Sequence, residues 1–189
     1  MYYIIGMAIR KILIFPDPIL REKAKPIQKF DEKLASLVAD MIETMHHFKG
    51  VGLAAPQIGE KLRVCVIHIP PTKEEEKKYP TEPIILINPE IIEKEGEIEW
   101  NEGCLSFPGI YEDIKRSEKI KVNAYDINEK PFTLEAEGLL SVAIQHEIDH
   151  LNGILIFDYM SYLKKKMVKR EMKKKALEQS QETARNGAE

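Results

Sequence analysis

The chain has 189 residues, of which 43% are hydrophobic and 31% charged, and its formal net charge is −3. This length and composition are typical of one globular domain over residues 1–189, and the small net charge creates no overall field that favours DNA or a membrane surface. The longest apolar runs, such as residues 84–87, are far shorter than the ~20 residues that a membrane span needs.

The cellular location is predicted from the N-terminus and the cysteines. Residues 1–9 are apolar, but no basic region precedes them and they are too few for a secretory signal. Met7 is an equally good start position. Without a signal, the two cysteines, Cys65 and Cys104, are expected to be reduced thiols. We therefore expect a cytoplasmic protein.

The predicted elements begin with a rigid turn at Pro16-Asp17-Pro18, because each proline fixes φ and biases its predecessor away from helix. A helix follows from the N-cap Asp31 to a stop at Gly50. Its apolar residues recur with the 3.6-residue period of one buried stripe: Leu34, Leu37, Val38, Met41, Ile42 and Met45. His46 and His47 end this helix, where the helix dipole favours a cation, so a metal is not needed to account for them.

Strand-like segments come next, at residues 62–69, at 84–88, in a hairpin-like pair around Glu95-Gly96, and at 119–125. Cys65 lies within the first segment and is predicted to be a small buried hydrophobe. Residues 70–83 are charged and flanked by prolines, which predicts an exposed loop. The last segment alternates polar and apolar residues, as a half-solvated strand does.

Two helices complete the chain. The first of them is predicted over residues 138–151, with Gly153 as its cap, and its apolar residues fall on most sides, which indicates a buried helix. A strongly basic helix is predicted over residues 161–178, followed by a disordered tail at 179–189. The order of elements favours an α+β fold. Mixed or antiparallel sheets would pack around the buried central helix, with an N-terminal and a C-terminal helix beside them.

The central helix contains the sequence QHEIDH at residues 145–150. The HExxH pattern places His146 and His150 about 40° apart on one helix face. Two imidazoles in this arrangement can bind one metal ion, and Glu147 beside them can transfer protons. The surrounding helix is apolar, so burial of two imidazoles beside a carboxylate costs free energy of desolvation. Binding of a metal ion compensates for this cost.

A catalytic metal site needs three protein ligands and one open position. In one large class of HExxH proteases the third ligand is a histidine six residues beyond the second, but here that position is Ile156. The chain further downstream offers mostly a lysine-rich helix, so the third ligand is predicted upstream. Cys104, a thiol in a turn-rich stretch, is the candidate. Such a set of ligands suits borderline-soft divalent metals without separating iron from zinc.

Three segments in this order resemble the peptide deformylase family: GVGLAAPQ at 50–57, EGCLS at 102–106 and QHEIDH at 145–150. The stretch from Pro16 to Arg21 is also similar to the N-terminal part of that family, so the resemblance covers essentially the whole chain. It implies a metal-dependent hydrolase that removes the formyl group from the N-terminal formyl-methionine of nascent polypeptides and releases formate.

The resemblance also implies roles for individual residues. The implied metal ligands are Cys104, His146 and His150. The implied native ion is Fe²⁺, with Zn²⁺, Ni²⁺ or Co²⁺ able to replace it. Glu147 would transfer the proton, while the Gln57 side-chain amide and the Leu105 backbone N–H would bind the oxyanion. The implied substrate-binding residues are Gly50, Val51, Gly52, Trp100, Glu102, Gly103, Leu139 and Val142.

The predicted basic helix carries eight Lys or Arg residues against one acid between Lys164 and Lys175. Such a run is usually a solvated helix face, and it also suits docking on ribosomal RNA. Since the resemblance implies work on nascent chains, ribosome binding through this helix is one prediction. A deletion from Ser161 onward is expected to leave peptide hydrolysis intact.

Two other functions remain open from the residues alone. A divergent HExxH site would also serve a zinc endoprotease. Alternatively, Cys104, His146 and His150 would hold a structural ion in a protein without enzymatic activity. A structural zinc site normally has four protein ligands, and the remaining histidines, His46, His47 and His68, offer no obvious fourth.

Overall fold

The computed structural model describes residues 8–70 and 79–186; predictions that fall on 1–7, 71–78 or 187–189 lie outside the described residues. The helices are α1 Glu32–His47, α2 Leu139–Leu151, α3 Ile156–Tyr159 and α4 Tyr162–Asn186. The strands are β1 Gly52–Ala54, β2 Val64–Ile67, β3 Ile84–Glu95, β4 Ile98–Gly103, β5 Tyr111–Arg116, β6 Lys119–Tyr125 and β7 Pro131–Glu137. Short 3-10 helices occupy Pro18–Arg21 and Ala55–Ile58. The fold is α+β, as predicted.

The strands form two antiparallel sheets, one in the order β1-β2-β3-β6-β7 and one of β4 and β5. The predicted hairpin around Glu95-Gly96 is wrong, because β3 pairs with β6 whereas β4 pairs with β5. Gly96 adopts a positive φ of 67° and redirects the chain from one sheet to the other. The turn residues predict a change of chain direction, but they do not specify which strands pair.

Helix α1 forms as its sequence predicts. The Asp31 side chain accepts a hydrogen bond from the Leu34 backbone N–H at 3.1 Å and caps the first turn. The apolar stripe packs with one face of β1 and β2, including Leu53 and Val66. Strand β1 was not predicted from the sequence, and it forms one edge of the larger sheet.

Helix α2 contacts strands of both sheets, and it carries the HExxH motif into the interior of the fold. Its apolar residues Ala143, Ile144, Ile148 and Leu151 pack in one cluster with Cys65, which is fully buried, and with neighbouring strand residues. The helix begins after Gly138, at φ 58°, and ends before Gly153, at φ 74°. A Cβ at Gly153 would lie 2.4 Å from the Arg21 carbonyl oxygen, so this position requires glycine.

A third apolar cluster joins α4 to the rest of the chain. Val168 and Met172 of α4 are buried there with Phe15 and Phe107, whose rings stack at a centroid distance of 5.1 Å. The predicted end of this helix near residue 178 is wrong, since α4 continues to Asn186. Glutamate, glutamine, alanine and arginine in this segment are good helix formers, so a helix persists where the composition indicated disorder. No helix in the described residues is both long and apolar enough to cross a membrane.

Candidate active site

The three predicted ligands meet between α2 and the loop after β4. The Sγ of Cys104 lies 3.2 Å from the Nε2 of His150, and the ligand atoms of Cys104, His146 and His150 are all within 4.8 Å of one another. Across residues 8–70 and 79–186, no other group of three such side chains is found. The turn that presents Cys104 is closed by a hydrogen bond of 2.9 Å from the Phe107 N–H to the Cys104 carbonyl.

His146 is held from behind by a carboxylate. Its Nδ1 donates to Glu102 Oε2 at 2.7 Å, which leaves Nε2 as the ring nitrogen available to a metal. A carboxylate that accepts from the outer nitrogen fixes the orientation of a ligating imidazole. It also makes the inner nitrogen a stronger electron-pair donor to the metal. Glu102 was predicted to bind substrate; it borders the cavity, but its carboxylate is engaged with His146 and with Arg116.

Arg116 is the anchor of this arrangement, and the sequence reasoning missed it. Its guanidinium donates to both oxygens of Glu102, at 2.7 and 3.0 Å, and to Asp149 at 2.6 Å. The Arg116 and Glu102 side chains are only 5% and 3% exposed. Loss of one partner from such a buried pair typically costs about 3–5 kcal/mol. Tyr159 completes the network, because its hydroxyl donates to Asp149 at 2.6 Å and its ring lies 4.9 Å from the guanidinium carbon.

The pKa values of the two imidazoles are shifted in opposite directions. Burial alone lowers the pKa of His146, but its interactions with Cys104 and Glu102 raise it well above the ordinary value in the metal-free chain. Burial lowers the pKa of His150 well below the ordinary value and keeps its imidazole neutral. Neutral imidazole is the form that binds metal, and a metal ion displaces the proton where one is bound. By ligand type alone, two imidazoles and one thiol suit a borderline-soft divalent ion.

Glu147 lies beside the ligands, where it contacts the backbone of β1. It is 4% exposed, and its Oε2 has no hydrogen-bond partner in the described part of the chain. Burial raises the pKa of Glu147 to about 7. A Cβ placed on Gly52 would lie 2.3 Å from Glu147 Oε1, so glycine at this position makes room for the carboxylate.

Gln57 is buried at the rim of the same site, 2% exposed. Its Oε1 accepts from the Ala54 N–H at 2.8 Å, which turns its amide nitrogen towards Cys104 Sγ at 3.6 Å and Ser106 Oγ at 3.3 Å. Leu105 follows Cys104 and lines the same cavity. The amide of Gln57 is thus a fixed donor beside the three candidate ligands.

A cavity of about 740 Å³ opens from these residues to the surface. All of the predicted substrate-binding residues line it: Gly50, Val51, Gly52, Trp100, Glu102, Gly103, Leu139 and Val142. The sequence reasoning missed further lining residues, among them Ile14, Phe48, Phe107 and Tyr111. They come from separate parts of the chain and carry no local motif, so only the fold identifies them. The cavity combines apolar side chains with polar ones, among them Gln57, His146 and Glu147.

The chain was compared with known proteins. A family model described as polypeptide deformylase matches residues 9–166. The peptide deformylase of Alkalilimnicola ehrlichii is 48% identical over 168 residues, which cover 89% of this chain and 91% of that protein. A crystal structure of a peptide deformylase from Legionella pneumophila has a TM-score of 0.80 and 49% identity, covering 92% of this chain and 98% of that one. The Ehrlichia chaffeensis enzyme in complex with actinonin has a TM-score of 0.82 and 37% identity, covering 89% and 98%.

Proposed function

The chain belongs to the peptide deformylase family, metal-dependent hydrolases that remove the N-formyl group from nascent polypeptides, and we propose that Cys104, His146 and His150 hold its metal ion. The convergence of these three side chains on one cavity, beside Glu147, is the observation that supports the proposal most strongly. Fe²⁺ is proposed as the native ion, with Zn²⁺, Ni²⁺ or Co²⁺ able to replace it. The donor set suits all four ions, and the choice of iron rests on the family resemblance.

The chemistry is divided between the metal and the side chains around it. A divalent ion in such a site lowers the pKa of a bound water towards ~7 and polarises a carbonyl oxygen. Glu147 accepts the proton of the attacking water and delivers it to the departing methionine amine. The Gln57 amide and the Leu105 N–H donate to the oxygen that becomes negative in the transition state. One such donor typically contributes ~10²-fold or more to the rate.

The substrate is proposed to lie in the 740 Å³ cavity. Val51, Trp100, Leu139 and Val142 supply apolar surface for a methionine side chain, and Gly50, Gly52 and Gly103 let the peptide backbone approach closely. Selection of a formyl group over a larger acyl group would follow from space, since the reacting carbon must fit between Gly52, Glu147 and the ligands.

Formate release tests this function directly. Anaerobically purified, iron-loaded protein is expected to release formate from a formyl-methionine tripeptide and to release acetate from the acetyl analogue far more slowly. Binding pockets discriminate a single added carbon by about 10- to 200-fold, and a steric clash at the reacting carbon increases the ratio. Comparable turnover of the two peptides would contradict the steric explanation. Absence of formate, with the metal confirmed by analysis, would contradict the function itself.

We propose further that the whole chain is one cytoplasmic catalytic domain that docks on the ribosome through α4. The exposed residues Lys166, Arg170 and Lys173 recur at helical spacing on one side of α4, opposite the buried Val168 and Met172. A row of cations on a solvated face is the electrostatic requirement for binding RNA phosphates. The family's action on nascent chains supports the ribosome as the source of that RNA.

The deletion from Ser161 is a poor test of docking, because it would remove Val168 and Met172 from the core. It would also remove Lys164, which donates to the Tyr111 carbonyl at 2.7 Å, and Lys175, which donates to the Pro108 carbonyl at 2.7 Å. Both carbonyls belong to cavity-lining residues. We therefore expect the deletion to impair hydrolysis as well, and substitutions on the exposed side of α4 test docking alone.

Charge reversal on α4 is expected to weaken ribosome binding while peptide deformylation is unchanged. Each lost phosphate contact reduces the slope of log K against log salt by about 0.7–0.9, so the triple variant Lys166→Glu, Arg170→Glu, Lys173→Glu should lower it by about two to three. Co-sedimentation with ribosomes over a salt series measures the slope. The control variant reverses Lys23, Lys29 and Lys33, which are exposed outside α4. Equal slopes for the two variants would contradict docking through α4.

A further inference from the structure

Two histidines outside the cavity face each other where α1 and β2 end. His46 lies in the last turn of α1, and His68 follows β2 directly. The Nε2 of His46 is 2.9 Å from the Nδ1 of His68, with ring centroids 5.0 Å apart and ring planes inclined by 64°. The rings of His146 and His150 are also 5.0 Å apart, at 67°. The surface pair thus has the centroid distance and nearly the inclination of the HExxH pair, and its two facing nitrogens are in hydrogen-bond contact.

We propose that His46 and His68 form a second metal site, which binds one borderline divalent ion such as Zn²⁺, Ni²⁺ or Cu²⁺. Imidazole nitrogen is a preferred ligand of these ions. Two nitrogens at ~2.05 Å from one tetrahedral ion are about 3.4 Å apart, so the observed pair must open by only about half an ångström. His46 is exposed, so water can complete the coordination. Within the described residues, no third His, Cys or acidic side chain joins the pair.

Backbone hydrogen bonds hold both histidines in position before any ion binds. The His46 carbonyl accepts from the Lys49 N–H at 3.0 Å in the turn that ends α1. The His68 N–H donates to the Val51 carbonyl at 2.9 Å. Because the backbone of both residues is fixed, binding an ion costs little ordering beyond the two side chains.

An ion at this pair would connect two elements that flank the cavity wall. Lys49, Gly50, Val51 and Gly52 line the cavity and lie in the chain between the end of α1 and β2, and Val51 is the residue bonded to His68. The site is therefore expected to stiffen this wall without contacting the reacting atoms. His46 and His47 were expected to need no metal. That expectation remains for His47, whose ring packs edge-on against Phe48 at 4.9 Å.

Counting bound Ni²⁺ tests the proposal. Holoprotein with one Ni²⁺ already bound at the catalytic site is titrated with further Ni²⁺ by calorimetry and equilibrium dialysis. The wild type is expected to take up a second ion. His46→Ala and His68→Ala should each weaken that second ion more than the ~10-fold that loss of an outer-shell partner costs. The adjacent variant His47→Ala should bind it as the wild type does.

The count separates this site from the catalytic one. Every variant must retain the first Ni²⁺, which shows that it is folded and that the catalytic ligands are intact. In the wild type, the ring proton resonances of His46 and His68 should shift or broaden together as the second Ni²⁺ is added. A stoichiometry of one ion per chain would overturn the proposal, as would a second ion that survives both alanine variants or is lost in His47→Ala.

Discussion

Replacing Glu147 by glutamine is expected to reduce formate release by 10²- to 10⁴-fold, the usual contribution of a general acid–base residue, while the metal content stays unchanged. The carboxylate is buried beside the ligands, its Oε2 has no partner in the described residues, and burial raises its pKa to about 7. A group with that pKa accepts and donates protons with similar ease near neutral pH. Glutamine keeps the volume of the side chain and cannot accept or donate this proton.

The measurement is kcat/KM for a formyl-methionine tripeptide, with the metal quantified in the same samples. Glu137→Gln, at an exposed glutamate that ends β7, removes one carboxylate that does not line the cavity and should leave the rate unchanged. A Glu147→Gln enzyme with full metal and a rate within tenfold of the wild type would exclude proton transfer by Glu147. Loss of metal in that variant would instead assign the residue to the metal site.

The parts of the fold that were predicted from the sequence are those with local causes. Helix α1 has its cap at Asp31 and its stripe of apolar residues within one segment, and β6 has its alternation within seven residues. The HExxH pair is also local, since one helical turn brings His146 and His150 together. In each case the information that forms the structure lies within one continuous segment of the chain.

The parts that were missed depend on contacts between distant segments. Lys115 and Arg116 are adjacent basic residues in the sequence. Arg116 is nevertheless buried against Glu102 and Asp149, whereas Lys115 is exposed. The face of β5 that lies towards α2 decides which of the two is buried, and the pairing of β4 with β5 sets that face. The hairpin prediction at Glu95-Gly96 failed for the same reason, because strand partners are chosen by the whole sheet. His68 likewise has no sequence signal that joins it to His46.

Replacing Gly52 by alanine is expected to reduce formate release by about 10²-fold, because a misplacement of about 1 Å in a catalytic group has an effect of that size. The added Cβ would lie 2.3 Å from Oε1, 2.8 Å from Cδ and 2.9 Å from Cγ of Glu147, so the carboxylate must move. Gly50→Ala is the matched control. Its Cβ would meet the flexible Cδ1 of Leu105 at 3.0 Å and the Gly52 carbonyl oxygen at 3.3 Å, and none of its three nearest contacts belongs to Glu147, so a smaller loss is expected.

The double variant Gly52→Ala, Glu147→Gln distinguishes displacement of the carboxylate from general damage to β1. If Gly52→Ala acts by moving Glu147, the double variant should be little slower than Glu147→Gln alone, because residues in contact that act on one step are not additive. Urea unfolding of each variant checks that the fold remains stable. Losses that multiply, with normal unfolding curves, would show that Gly52 serves the substrate independently of Glu147. The close contact between β1 and α2 would then be incidental to proton transfer.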